Sequence, residues 1–189
     1  MPLLTYQPVY SEDQIAAMAA LGREIWLDYW PERIGQAQTE YMLETMHSAE
    51  AIAASIKEQG YRWVFARDEA GQVVGYSSAA PESVEAASYD PTIHGDAINA
   101  FAAHRLFISK IYLKAGERGK HYCSAIIDYW ADWARQLGLE ALYLTVNKYN
   151  ELGVRAYKHL GFRTIEERQS DIGNGYFMDD FVMAKKLAI

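Results

Sequence analysis

The stretch "GERGKHYCSAII", residues 116 to 127, brings glycine, arginine, lysine, histidine and cysteine into one turn ahead of an apolar helical run. Backbone amides at a helix N-terminus, with basic side chains beside them, make a ready site for a phosphate. A nucleoside-triphosphate loop would need glycine at 114 and Ser or Thr at 121, where Lys114 and His121 stand. A dinucleotide fingerprint needs a run of glycines opening the helix, and only Gly119 is in place. A third loop type holds the pyrophosphate of coenzyme A on unpaired amides, here those of 119 to 124. It does not require every glycine, because the amides and the positive helix end do most of the binding. Arg118 and Lys120 would add charge. On these residues alone, that reading stands level with an ordinary helix start carrying two solvated basic side chains.

Such a loop needs a strand before it and a helix behind it, and the sequence supplies both. "RLFISKIYL" reads as a strand, "KAGER" as a loop, and a long helix is expected from about 119 to 137. Cys123, Ile126, Ile127, Trp130, Ala134 and Leu137 form its apolar face, and Gly138 stops it with Leu139 folding back. "ALYLTV" is a buried strand and "NELGVRAYKHL" a helix with the same stop at "GF". "RTIEERQ" and "YFMDDFVMAKKL" are strands around the turn "IGNG". Upstream, "TYQPVY" is a short strand kept to an edge or an end by Pro8. "SEDQ" is a capping box opening a helix that Pro31 ends. Helices follow at about 38 to 47 and 49 to 59, with "WLDYWPERIGQ" expected as an aromatic loop before them. "YRWVFARD" and "QVVGYSSAA" pair across the turn "DEAG". Residues 81 to 104 show no period and read as a lid, a short helix or a flexible insert. The order is mixed α/β, and 1–189 is expected to be a single domain.

The net charge of −7 over 189 residues argues against non-specific binding to nucleic acid or anionic membranes, and fits a cationic small partner better. The single cysteine makes no internal disulfide, so a reducing, cytoplasmic setting is expected, and the N-terminus lacks the pattern of a signal peptide. The 14 Tyr and 5 Trp supply rings for a small-molecule pocket as well as for a core. No metal is expected.

The run "KIYLKAGERGKHYCSAII", then "LGLEALYLTVNKYNELGVRAYKHLGF", resembles the core of the GNAT N-acetyltransferase superfamily over about residues 105 to 168. A strand ending in a basic-glycine loop, a long helix, a strand and an Asn-rich helix start come in the family's order. The frame from Asn147 to Phe162, with Tyr157 inside it, is the most specific part. His121 and Cys123 depart from the small residues that the family's loop carries, which narrows the approach to the phosphates or shifts the helix start. The resemblance implies a mostly antiparallel twisted sheet with a splayed central strand pair, flanked by helices on both faces. It implies acetyl transfer from acetyl-CoA to a primary amine, with a CoA-binding sensor or interaction module as the alternative. Cofactor contacts are implied for Ile111, Tyr112 and Leu113 on the strand, for Arg118, Gly119, Lys120, His121, Tyr122, Cys123 and Ser124 in the loop, and for Asn147 and Asn150. Tyr157 is implied as the general acid. Trp26, Tyr29, Trp30, Tyr41 and Met42, with Tyr176 opposite, are implied for the acceptor pocket. Their aromatic character suits a cationic amine such as a polyamine or an amino sugar. The family's strand glutamate has no counterpart in "RLFISKIYL", leaving a water chain, His104, Glu40, Asp179 or Asp180 as the base. The partner expected is a small-molecule amine, and a homodimer is compatible with the sequence.

Overall fold

The computed structural model describes residues 3–83 and 104–188. The expectation of a lid or insert at 81 to 104 therefore falls largely outside the described residues. Seven strands hydrogen-bond in the order β1-β2-β3-β4-β5-β7-β6. These are β1 Thr5–Pro8, β2 Arg62–Arg67, β3 Val73–Ser83, β4 His104–Leu113, β5 Ala141–Asn147, β6 Arg163–Gly173 and β7 Tyr176–Lys186. The β1–β2, β2–β3, β5–β7 and β6–β7 pairs are antiparallel, and β4–β5 is parallel. The β4–β5 ladder ends at Ile108↔Leu144, although β4 runs on to Leu113 and β5 to Asn147, as a splayed pair requires. By their contacts the residues fall into two compact units: Met1–Ala80 with Lys110–Ile126, and Pro81–Ser109 with Ile127–Ile189.

In the first unit, helix α1 (Glu12–Tyr29) starts where Ser11 and Gln14 close the expected capping box. Met18, Leu21 and Ile25 recur at helical spacing and are buried against Val9, Ile52, Trp63, Phe65 and Tyr76. Each such side chain contributes about 1.5–3 kcal/mol on leaving water. The aromatic segment expected as a loop is helical instead. Pro31 ends α1 but also opens α2 (Pro31–Ile34), and α3 (Gln36–Met46) follows after Gly35. Proline is suited to a first helical position because its missing N–H would have no partner there. Helix α4 (Ala49–Gln59) is capped by Ser48 and closed by left-handed Gly60. On β3, a side chain at Gly75 would sit 2.2 Å from the Tyr112 carbonyl oxygen, so only glycine lets the end of β4 lie this close.

In the second unit, α5 (Tyr122–Gln136, which begins in the first) buries Ile127, Trp130, Ala131 and Ala134. Leu137, expected on that face, is 46% exposed, because the helix has already ended at Gln136. Left-handed Gly138 and the Leu139 amide, which donates to the Ala134 carbonyl, make the expected stop. Helix α6 (Glu151–His159) is capped by Asn150 and stopped by left-handed Gly161, with the Phe162 amide donating to the Tyr157 carbonyl.

Candidate active site

The loop after β4 is anchored by the Lys114 amide on the Val74 carbonyl, at 3.0 Å. A short 3-10 turn, Ala115–Glu117, leads to Arg118. Gly119 (φ 81°) and His121 (φ 62°) are then both left-handed. A side chain at Gly119 would meet nothing within 4 Å, so glycine serves the backbone conformation there, not space. His121 adopts a glycine-like conformation despite its β-carbon. Two left-handed residues cannot lie in a helix, so α5 begins at Tyr122, later than the expected start near 119.

This turn leaves donors open. Among the described residues, the amides of Gly119, Lys120 and His121 donate to no protein group. Those of Tyr122 and Cys123 lie in the first turn of α5, where no carbonyl one turn back exists to receive them. The Ser124 amide is already used, donating to the His121 carbonyl at 3.1 Å. The loop's cations have carboxylate partners within the same unit: Lys114 with Glu24 and Arg118 with Asp28, both at 3.4 Å, and Lys120 with Glu117 at 2.9 Å. The hydrogen bond to Glu117 holds the Lys120 ammonium above its ordinary value. Uncharged amides thus supply the donors least committed to protein partners. Burial pushes the Cys123 thiol up to about 12, which disfavours the thiolate that a nucleophile needs.

Beside the loop, the end of α1 brings three of the expected acceptor aromatics, Trp26, Tyr29 and Trp30, together. Trp26 packs against Trp30 (5.6 Å between centroids) and Tyr112 (5.4 Å), and Tyr29 meets Trp30 edge-on at 5.1 Å. Met42 is buried and Tyr41 half-buried on α3. The structure adds two residues that the sequence did not nominate. His47, just past α3, lies 4.5 Å from the Trp26 ring and 6.2 Å from that of Tyr76. Burial first, and the Lys110 charge second, keep its imidazole well below the ordinary value. Burial, then Tyr112, holds the Tyr76 phenol well above its own. The Trp26 indole stands near enough to offset part of that shift, yet neither Trp26 Nε1 nor Tyr76 Oη completes a hydrogen bond, and neither nitrogen of His47 does. No local signal marks this group, because its members come from separate helices and strands.

The second unit holds the remaining expected residues. Tyr157 is buried on α6, its ring edge-on to Phe162 at 5.8 Å. Asn150 Oδ1 caps α6 by accepting from the Gly153 amide, and Asn147 Oδ1 accepts from the Tyr149 amide where β5 ends. Tyr176 opens β7, half-buried. Of the carboxylates considered as base, Asp179 is ion-paired to Lys148 at 2.7 Å and Asp180 is buried, while Glu40, in the first unit, accepts from Gln36. His104 is exposed. Among the described residues, no group of His, Cys, Asp and Glu side chains is placed to hold a metal ion.

The sequence profile of the Acetyltransferase (GNAT) family matches residues 12–162. The chain belongs to the GNAT acetyltransferase family. No curated protein sequence matches it. Its fold is that of solved GNAT proteins. PaiA N-acetyltransferase from Thermoplasma acidophilum, in complex with coenzyme A, superposes with a TM-score of 0.69 at 15% identity, over 98% of this chain and 99% of that one. The putative acetyltransferase yncA from Salmonella typhimurium, with its cofactor acetyl-CoA, gives 0.58 at 18% identity, over 99% and 95%. A spermidine N-acetyltransferase SpeG chimera from Vibrio cholerae and hSSAT gives 0.61 at 18% identity, over 97% and 95%. A GNAT acetyltransferase takes its acetyl group from acetyl-CoA, and the open amides of the turn before α5 have the chemistry a pyrophosphate needs.

Proposed function

We propose that this acetyltransferase moves the acetyl group of acetyl-CoA to a primary amine of a small molecule, with the turn at 118 to 123 holding the cofactor's pyrophosphate. The observation that carries this reading is the set of unpartnered amides at Gly119, Lys120 and His121, just before α5, in the same turn as the basic side chains of Arg118 and Lys120. The thioester supplies the activated acetyl group. The chain's part is to hold it, receive the amine in neutral form and return a proton to sulfur. Residues Ile111, Tyr112 and Leu113 on β4 meet the cofactor arm, as do Asn147 and Asn150. Tyr157 gives the proton to the departing thiolate. In the first unit, Trp26, Trp30, Tyr41 and Met42, with His47 and Tyr76, are the proposed acceptor contacts; in the second unit the proposed contact is Tyr176. A cationic acceptor, such as a polyamine or an amino sugar, belongs to the same proposal. The Trp26–Trp30 pair at the end of α1 supports it, since ring faces attract ammonium. One 1–189 domain and a cytoplasmic location complete the reading. The family profile, which runs through segments of both units, supports the first, and the single cysteine supports the second.

Thermal unfolding with and without ligand is the direct test. Acetyl-CoA or CoA at a hundred times its dissociation constant should stabilise the protein by about 2.7 kcal/mol, and NAD or ATP should not. Stabilisation by ATP or NAD alone would overturn the loop assignment. Thiol release from acetyl-CoA across polyamines, aminoglycosides, amino acids and peptide N-termini then reads the acceptor. Turnover confined to amines without a second positive charge would remove the cationic class.

A further inference from the structure

The sequence places Tyr29 in the acceptor pocket, but its ring is already engaged on the cofactor side. The Arg118 guanidinium lies 4.8 Å from its centroid and the Arg33 guanidinium 3.7 Å. Arg33 also donates to the Tyr29 carbonyl, tying this part of α1 to α2. We infer that Tyr29 is a positioning residue for the cofactor loop, its ring setting the Arg118 guanidinium at the turn that takes the phosphates. The inference rests on the pyrophosphate reading of that turn.

An arginine projecting from a loop loses much rotamer freedom when it binds, and a ring against its plane removes part of that loss beforehand. A guanidinium held over a ring face still has N–H groups to offer phosphate oxygens. Asp28 is the other partner of Arg118, but at 3.4 Å and with its side chain 52% exposed it is a loose one. As a carboxylate beside a phosphate site it also repels the ligand, whereas the ring does not. Tyr29 therefore orders Arg118 without opposing the anion. With two guanidiniums against it, the ring has little face left for an acceptor's ammonium.

The test is calorimetric titration of acetyl-CoA into the full-length protein, paired with steady-state kinetics on an amine that it acetylates. Tyr29→Leu should raise the acetyl-CoA dissociation constant roughly threefold to tenfold while the amine KM stays unmoved. Tyr29→Phe, which keeps the ring, should retain the wild-type affinity. In an Arg118→Ala background, Tyr29→Leu should add nothing further. A raised amine KM with unchanged acetyl-CoA affinity would return Tyr29 to the acceptor wall, and an additive loss or no loss would equally overturn the inference. Should the Leu variant not fold, Arg118→Lys reads the same contact from the other side. It keeps the charge and loses the stacking plane, so wild-type affinity there overturns the inference too. Arg118→Ala without effect on acetyl-CoA is a separate failure: it would sink the pyrophosphate reading itself.

Discussion

Tyr157 is given a proton-transfer role, and its surroundings make that role testable by removing one atom. The ring is buried and edge-on to Phe162, so Tyr157→Phe keeps the packing and deletes only the hydroxyl. General acid catalysis contributes roughly a hundredfold to ten-thousandfold, so kcat should fall more than tenfold with acetyl-CoA affinity and melting temperature nearly intact. Unchanged turnover, measured where chemistry limits the rate, would remove Tyr157 from the mechanism. His47 makes a different prediction. Burial and Lys110 lower its proton affinity in the folded protein below the ordinary value of about 6.5 that it has when unfolded. Tyr76, whose ring lies beside it, is held well above its own ordinary value and does not change charge in that range. Below about pH 6.5 the unfolded chain binds the extra proton first, so this term stabilises fully above that pH and is lost as the pH falls. The urea midpoint of wild type should fall relative to that of His47→Gln as the pH drops below about 6.5. Parallel curves would show that His47 does not titrate differently on folding.

At the scale of elements, the close approach of β3 and β4 is the contact most exposed to a small change. An alanine at Gly75 would place its β-carbon against the Tyr112 carbonyl, a backbone atom that cannot swing aside. Gly75→Ala should cost roughly 1–3 kcal/mol in chemical denaturation and weaken acetyl-CoA binding, because the end of β4 leads into the loop. A neutral substitution would mean that the strand end moves freely. Much at this scale was legible in the sequence. The capping box at Ser11 announces itself through side chains that cap, and the stops at Gly138 and Gly161 and the turn around Asn174 and Gly175 through residue types that tolerate a positive φ. Proline misled at Pro31, since it halts one helix and opens the next, and only the geometry distinguishes the two. The start of α5 lies later than expected because Gly119 and His121 both take a positive φ, which the spacing of apolar residues does not register. His47 and Tyr76 were illegible for another reason. Their meeting with Trp26 and Tyr112 is purely tertiary, and neither interrupts the local pattern of its own segment.

For the molecule as a whole, chain order and compactness do not coincide. Neither unit is a continuous stretch of sequence, because Lys110–Ile126 completes the one that begins at the N-terminus. A fragment ending at Ala80 lacks the end of β4, with Tyr112 and Lys114 that pack on Trp26, Tyr76 and Val74. Such a fragment should show no cooperative thermal transition by circular dichroism, whereas the full chain should. A sharp melt from residues 1–80 alone would show that the first unit folds without its later segment.

The chain's one cysteine turns the first turn of α5 into a built-in gauge of loop order. Cys123 keeps some accessible surface, but its thiol is pressed into the protein and held to about 12, so almost none of it is thiolate near pH 8. A disulfide reagent should therefore label the native protein far more slowly than free coenzyme A, leaving the colour of released cofactor nearly free of background. Whatever labelling does occur should track fraying of the helix start, and saturating acetyl-CoA should slow it further. Labelling as fast as that of an unfolded control, with or without ligand, would mean that the turn is open most of the time.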